Sequence, residues 1–177
     1  MTITEPLAEL KTIKKRIEKK REFVGQYLAR QDGVKDPLEK DGGSAVVIAR
    51  ERQAVADLET RVVAIRTNIQ KVNQATPITV EGITKTIAEW LTWRKEVAPG
   101  QQSTLATLRR TIQGVRQQTQ QKGLQTLAPG GTATSPGDVI INVDEGQLAK
   151  DAEQLETILG TLDGQLSLKN ATVMIEV

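Results

Sequence analysis

Cysteine and histidine are both absent from the 177 residues of this chain. The protein can therefore have no disulfide bridge, thiol nucleophile, thiolate zinc site or imidazole general base. A serine–histidine–aspartate triad is excluded for the same reason. The adjacent acids Asp144 and Glu145 stand where carboxylates favour the start of a helix, which accounts for them without acid–base catalysis. We predict a protein that is not an enzyme and that uses no cofactor and no metal.

Aromatic residues make up only 2% of the chain and consist of Phe23, Tyr27, Trp90 and Trp93. Large aromatic side chains normally fill much of the volume of a thick core. Burial must therefore depend on Leu, Ile, Val and Ala. This composition favours thin seams between helices over a thick layered core, and it indicates a mainly α fold.

Long apolar runs are missing as well. No run approaches the roughly 20 residues that a helix needs to cross a bilayer. The opening stretch MTITEPLAELK contains no apolar core of a signal peptide. We predict no membrane contact and no secretion by a signal peptide, so the expected location is the cytoplasm or a virion.

A seven-residue apolar pattern is what the sequence does contain. Between Ser44 and Val72 the apolar side chains recur at alternating steps of three and four, which is typical of a coiled-coil seam: Ile48, Val55, Leu58, Val62, Ile65, Ile69 and Val72. The same spacing joins Leu10, Ile13, Ile17 and Val24. A turn region rich in Gly, Asp and Pro separates the two segments, and Ser44 is a suitable N-cap. We predict a long antiparallel helical hairpin, a coiled coil, over residues 1–75.

Shorter elements follow this hairpin. We predict a pair of short helices over residues 76–127, the first from Ile83 to Val97 and the second from about Ser103, with Pro99-Gly100 as the break between them. Residues 128–138, APGGTATSPGD, read as a loop. A strand–helix–strand block over 139–177 completes the chain, with Asp144 capping its helix. Its two apolar runs, 139–143 and 173–177, are predicted to pair as a small antiparallel β element.

Basic residues are concentrated near the start of the chain. The group of interest is Lys11, Lys14, Lys15, Arg16, Lys19 and Arg21, which the heptad assigns to faces outside the seam. A solvated helix face explains them most simply. Phosphate contact with a nucleic acid and contact with an acidic protein partner are the two alternatives. Interspersed glutamates and the lack of aromatic platforms count against nucleic acid.

Lys20 occupies a seam position of the first helix. It can extend its ammonium group to solvent, which we favour, or it can pair with Glu51 across the seam and select one register. Other side chains are predicted to form protein interfaces because a thin fold has little interior to cover them: Trp90, Trp93, Ile112, Val115, Val173 and Ile175.

One stretch carries a resemblance to a known family. The run IQKVNQATPITVEGITKTIAEWLTWR, with the strand–helix–strand block after it, resembles the septicolysin-like small coiled-coil bacterial proteins. The matching positions are Asn73, Thr76, Gly82, Thr84 and Arg94. The chain departs from this pattern in its Gln/Thr tract and in the loop at 128–138. Long helices with Gln/Thr-rich stretches are also similar in composition to bacteriophage virion components.

These observations predict a non-enzymatic structural protein. We expect it to make protein–protein contacts in a homo-oligomer or a larger complex such as a phage virion. The alternative is a nucleic-acid-associated protein that uses the basic helix 11–21.

Overall fold

A computed structural model describes residues 2–175 and shows a mainly helical protein, which confirms the prediction of a mainly α fold. The helices and strands, in chain order, are α1 (Thr4–Gln26), a 3-10 helical turn (Glu39–Asp41), α2 (Ser44–Ala75), β1 (Pro77–Val80), β2 (Ile83–Thr86), α3 (Ile87–Thr92), a π-helical turn (Trp93–Val97), α4 (Ala98–Gln121), β3 (Thr126–Leu127), β4 (Val139–Ile140) and α5 (Glu145–Thr172). Within the described residues, no helix combines the length and apolar character that crossing a bilayer requires.

The chain folds as two compact units. The first, here called the helix-pair unit, contains the residues up to Thr76 together with those from Ser167 onward. The second, the tryptophan unit, is Pro77–Leu166. Helix α5 contributes most of its length to the tryptophan unit and its last turns to the helix-pair unit.

In the helix-pair unit, α1 packs along α2 through the predicted apolar stripes. Leu10, Ile13 and Ile17 of α1 are buried together with Ile65 of α2. Four further apolar residues of α2 pack against this cluster and stay half-buried: Val55, Leu58, Val62 and Ile69. Cross-helix ion pairs join Glu9 with Arg61 and Lys20 with Glu51, so residue numbers rise on one helix while they fall on the other.

The start of α2 differs from the prediction by one residue. Gly43, with a φ of 91°, is the capping position, and Ser44 is the first helical residue. The cap is supplied from the preceding turn, where the Asp36 carboxylate accepts hydrogen bonds from both the backbone N–H and the hydroxyl group of Ser44. The helix then continues to Ala75 as one rod, slightly beyond the predicted end at Val72.

The tryptophan unit begins with a two-stranded antiparallel sheet. Strands β1 and β2 pair with Val80 opposite Ile83, so only Glu81 and Gly82 form the turn. Their φ values, 48° and 77°, lie in the left-handed region that two-residue hairpin turns use. The prediction of a helix from Ile83 is therefore wrong at its first turn. The helix starts at Ile87, after a capping box between Thr86 and Glu89.

Helix α3 does not stop at Pro99-Gly100 as predicted. It passes through the π-helical turn Trp93–Val97 directly into α4, which starts at Ala98. Pro99 lies in the first turn of α4, directly after the π-helical turn. The predicted break is therefore wrong: the irregularity next to the proline is a π-helical turn and not the end of a helix.

The predicted antiparallel pairing of 139–143 with 173–177 is also wrong. Strand β4 pairs in parallel with β3, which the loop at 128–138 allows because it supplies a long crossover. Met174 instead forms an isolated antiparallel bridge with Thr2 in the helix-pair unit. The last two residues of the predicted strand lie outside the described residues.

Helix α5 begins as predicted. The Asp144 carboxylate accepts hydrogen bonds from the backbone N–H groups of Gly146 and Gln147. Ile158, Leu162 and Leu166 of this helix then pack on the hairpin strands and on α3, which form the main core of the unit.

Candidate functional site

Trp90 and Trp93 lie at the centre of the tryptophan unit, one helical turn apart. Trp90 is 1% exposed, and its indole N–H donates a hydrogen bond of 3.1 Å to the backbone carbonyl of Ile78. The two rings meet edge to face, with centroids 5.5 Å apart. Trp93 remains half-buried. Because Trp90 has almost no exposed surface, its predicted interface role is corrected to a core role, whereas Trp93 keeps an accessible face.

A groove of about 460 Å³ opens beside Trp93. Its lining is mainly apolar and comes from the hairpin, from the two tryptophans, and from α4 and α5, and it includes Ile83, Leu105, Leu155 and Ile158. We call this cavity the α4–α5 groove. Its volume is in the range of small-ligand and side-chain pockets, roughly 300–1,000 Å³. A second, smaller cavity of about 190 Å³ shares Leu105 and Leu155 with it but takes the rest of its lining from other faces of the two helices.

Charged side chains of both signs line each cavity. Lys85 of β2 and Asp151 of α5 line the α4–α5 groove, while Arg109 of α4 and Glu156 of α5 line the second cavity. Within residues 2–175, none of these four forms an ion pair. The Lys85 ammonium group lies 5.1 Å from the centroid of the Trp90 ring. Asp151 accepts a hydrogen bond of 2.7 Å from the Gln147 side chain.

The basic residues of α1 form a second candidate surface, which we call the α1 basic face. All six predicted contact residues are exposed: Lys11, Lys14, Lys15, Arg16, Lys19 and Arg21. Arg21 forms an ion pair with Glu59 of α2, with 2.7 Å between the charged groups. The other five have no carboxylate within ion-pair distance among the residues that the structure describes.

Lys20, the lysine at the seam position of α1, pairs with Glu51 of α2, which is the alternative that we did not favour from the sequence. Lys20 Nζ lies 2.6 Å from Glu51 Oε2, and the two side chains are 31% and 20% exposed. Glu9 and Arg61 form a second cross-helix pair at 2.9 Å, and the hydrogen bond from Arg61 to Glu9 raises the pKa of Arg61. Both contacts join α1 to α2 beside the apolar cluster.

The remaining predicted interface residues divide by burial. Ile112 is 8% exposed and packs with Ile141 and Leu148, and Ile175 is 4% exposed. Neither side chain has the exposed surface that an interface needs, so both predictions are corrected to interior positions. Val115 and Val173 are half-buried.

Carboxylates with a lowered pKa lie in turns and helix caps. Hydrogen bonds from Ser44 lower the pKa of Asp36 to about 2. The Thr86 backbone N–H lowers the pKa of Glu89, and the Gln125 backbone N–H does the same for Asp138. Each carboxylate therefore organises local backbone. No three acidic side chains among the described residues are arranged to hold a metal ion.

Sequence reasoning missed the α4–α5 groove entirely. The sequence did contain a signal for the hairpin that lines one side of the groove. In the run ITVEGITKT, alternating β-branched residues flank Glu-Gly, a pattern typical of a tight hairpin. No comparable signal places Leu105 and Leu155 beside the same cavity, because α4 and α5 are far apart in the sequence. Comparison with protein families, with curated proteins and with solved structures gives no match for this chain.

Proposed function

We propose that this chain is a non-enzymatic structural protein that makes protein–protein contacts in a homo-oligomer. The observation that carries the proposal is the α4–α5 groove, an open and mainly apolar channel of about 460 Å³. Apolar surface of this kind is stabilised when another protein surface removes it from water. Ile83, 43% exposed, extends the same apolar surface.

The helix-pair unit fits this function as an antiparallel coiled-coil hairpin. Its helices of 23 and 32 residues act as a stiff body, and the Lys20–Glu51 pair limits the registers that they can adopt. A phage virion or its assembly is the proposed setting, on the basis of composition. The septicolysin-like family remains a proposal that rests on the residues around Asn73 and Gly82.

Sedimentation velocity over a wide series of protein concentrations tests the proposal. We expect the mass to rise above the 19.4 kDa of one chain as concentration increases. A mass that stays at one chain throughout would remove the homo-oligomer. Repeating the series at high salt would show how much of the association depends on charge.

Nucleic-acid binding is the second candidate, favoured by the five exposed cations of the α1 basic face that have no ion-pair partner within residues 2–175. The test is binding of duplex DNA across a salt series, since phosphate contacts give an affinity that falls steeply with salt. Replacing Lys14, Lys15 and Lys19 by Gln should lower the affinity and flatten the salt dependence. Lys40→Gln, an exposed lysine outside this face, serves as the control. Absence of binding at low salt would remove this candidate.

A further inference from the structure

We propose that the α4–α5 groove binds a small organic molecule that has a flat apolar body and one anionic group. The groove has the volume of a small-ligand pocket, about 460 Å³, and a mainly apolar lining. This inference goes beyond the proposed function, because a single chain forms the complete groove. Ligand and protein partner would use the same apolar surface, so the ligand should oppose association.

Trp93 supplies the accessible aromatic surface of the groove. Its ring is half-buried, and Trp90 meets it edge to face with centroids 5.5 Å apart. The hydrogen bond from Trp90 to the Ile78 carbonyl fixes one of the two rings in place. Leu155 and Ile158, which are both buried, add aliphatic surface to the lining. A flat apolar ring against Trp93 would therefore gain aromatic and dispersion contacts without a rearrangement of the core.

The backbone at Trp93 is irregular as well. Trp93 is the first residue of the π-helical turn Trp93–Val97, which links α3 to α4. Turns of this kind are rare in proteins and occur frequently at functional sites. The same residue thus combines an accessible aromatic face with an irregular backbone. This combination favours a binding site over an ordinary gap between packed helices.

Lys85 supplies the positive charge from an unusual position in the hairpin. It lies opposite Ile78, and opposite residues of an antiparallel pair share one face of the sheet. Because Ile78 is buried in the core, Lys85 stands on the core side of the hairpin. Lys85 is half-buried, and its ammonium group lies 5.1 Å from the centroid of the Trp90 ring. A cation in such a place loses part of its hydration, and an anion beside it compensates for that loss.

The acidic groups around Lys85 leave its charge available to a ligand. Hydrogen bonds from Thr86 are the main cause of the lowered pKa of Glu89, and the charge of Lys85 contributes least. Asp151, which also lines the groove, accepts a hydrogen bond of 2.7 Å from Gln147. Among the described residues, no carboxylate lies within ion-pair distance of Lys85. One ammonium group at an apolar groove favours one anionic group, such as a carboxylate, on the ligand.

Three probes with the same ring system and different charge test the site: anionic naphthoate, neutral naphthylmethanol and cationic naphthylmethylamine. The readout is the pair of indole N–H signals in NMR spectra, since the chain has only two tryptophans. The variant Trp93→Phe assigns these signals. We expect a saturable shift of the Trp93 signal and an affinity for naphthoate about tenfold higher than for naphthylmethanol. Naphthylmethylamine should bind no more tightly than naphthylmethanol.

Lys85→Met tests the role of the charge. Methionine keeps a long unbranched apolar stem, so the lining of the groove is retained. We expect this variant to lose the preference for naphthoate, while its affinity for naphthylmethanol stays within about twofold of wild type. Lys85→Arg keeps the charge and should keep the preference. Lys150→Met is the control, because Lys150 is exposed on α5 and does not line the groove.

The titrations use protein diluted until sedimentation velocity gives the mass of one chain, so that no partner covers the groove. The site is overturned by an absence of saturable shifts, by equal affinities for naphthoate and naphthylmethanol, or by a preference that survives in Lys85→Met. Association of concentrated samples would then still stand. Naphthoate binding by a chain that stays monomeric at every concentration supports the site and overturns the homo-oligomer alone.

Discussion

The two units of this protein reach stability in different ways. The helix-pair unit has a narrow aliphatic stripe flanked by cross-helix ion pairs, with Ile65 the most deeply buried side chain. The tryptophan unit is built around one large ring, Trp90, which contacts both a strand and a helix and donates a hydrogen bond to the strand. The first arrangement spreads its stabilisation along the helices, whereas the second concentrates it at one position.

Their charges differ as well. Residues 1–76 with 167–177 contain 16 basic and 12 acidic side chains, while residues 77–166 contain 8 basic and 10 acidic ones. The excess positive charge lies in the unit that has the α1 basic face, and the tryptophan unit has a small excess of negative charge. The comparison teaches that the low net charge of the whole chain combines two units of opposite net charge.

Trp90→Ala should have the largest effect, because it empties the centre of the tryptophan unit. We expect a loss of about 4 kcal/mol in the free energy of unfolding, from the cavity and the lost bond to Ile78. Urea unfolding measures the loss, and hydrogen exchange should place it in residues 77–166. Trp93→Ala is the control and should cost clearly less, since that ring is half-buried. Equal losses would contradict a stability concentrated at Trp90.

Ile65→Ala tests the helix-pair unit in the same way. Ile65 has 0% exposure and should cost about 3 kcal/mol, which is less than Trp90 because neighbouring seam residues share the burial. Val63→Ala, at a side chain that is 65% exposed, should change stability by less than about 0.5 kcal/mol. If both variants lose the same amount, the seam is not the source of stability.

A double-mutant cycle on Lys20 and Glu51 sharpens the comparison further. We expect a coupling of about 1 kcal/mol for this partly buried pair, against about 0.3 kcal/mol for the exposed Lys35–Glu39 pair. Replacing both Lys20 and Glu51 by Leu should keep or raise stability while admitting other registers or oligomers. A single, unchanged oligomer in that variant would show that the pair does not select the register.

The smallest effect concerns Asp36, whose pKa is about 2 because Ser44 donates two hydrogen bonds to its carboxylate. The pKa is depressed, so the contribution to stability is complete above the ordinary value of 3.8 and disappears as pH falls through about 2. Ser44→Ala removes the largest cause and should raise the pKa, as measured by NMR titration of the carboxyl carbon.

The corresponding carboxylate of the tryptophan unit supplies the control. The pKa of Asp138 is lowered first by the Gln125 backbone N–H, with the Thr134 hydroxyl contributing least. Thr134→Ala should therefore move the pKa of Asp138 much less than Ser44→Ala moves that of Asp36. Shifts of equal size would mean that backbone donors are not the main cause at Asp138.

Residue order alone predicts the long helices and the faces that they bury. The three-and-four spacing of apolar residues in α2 identifies one continuous helix, and Asp144 identifies the start of α5. These predictions hold because they depend on interactions between residues a few positions apart. Asp36 shows the limit: the group that caps α2 lies eight residues before Ser44, beyond any local pattern.

Only the tertiary structure decides which side chains remain accessible. It places Trp90 inside and leaves Trp93 half-buried, although the two residues are only three positions apart in the chain. It also pairs β4 with β3 rather than with the end of the chain. The α4–α5 groove arises from side chains on elements up to seventy-five residues apart. The reason is physical: helix formation is governed by neighbours in the chain, while exposure depends on distant segments that compete for the same apolar surface.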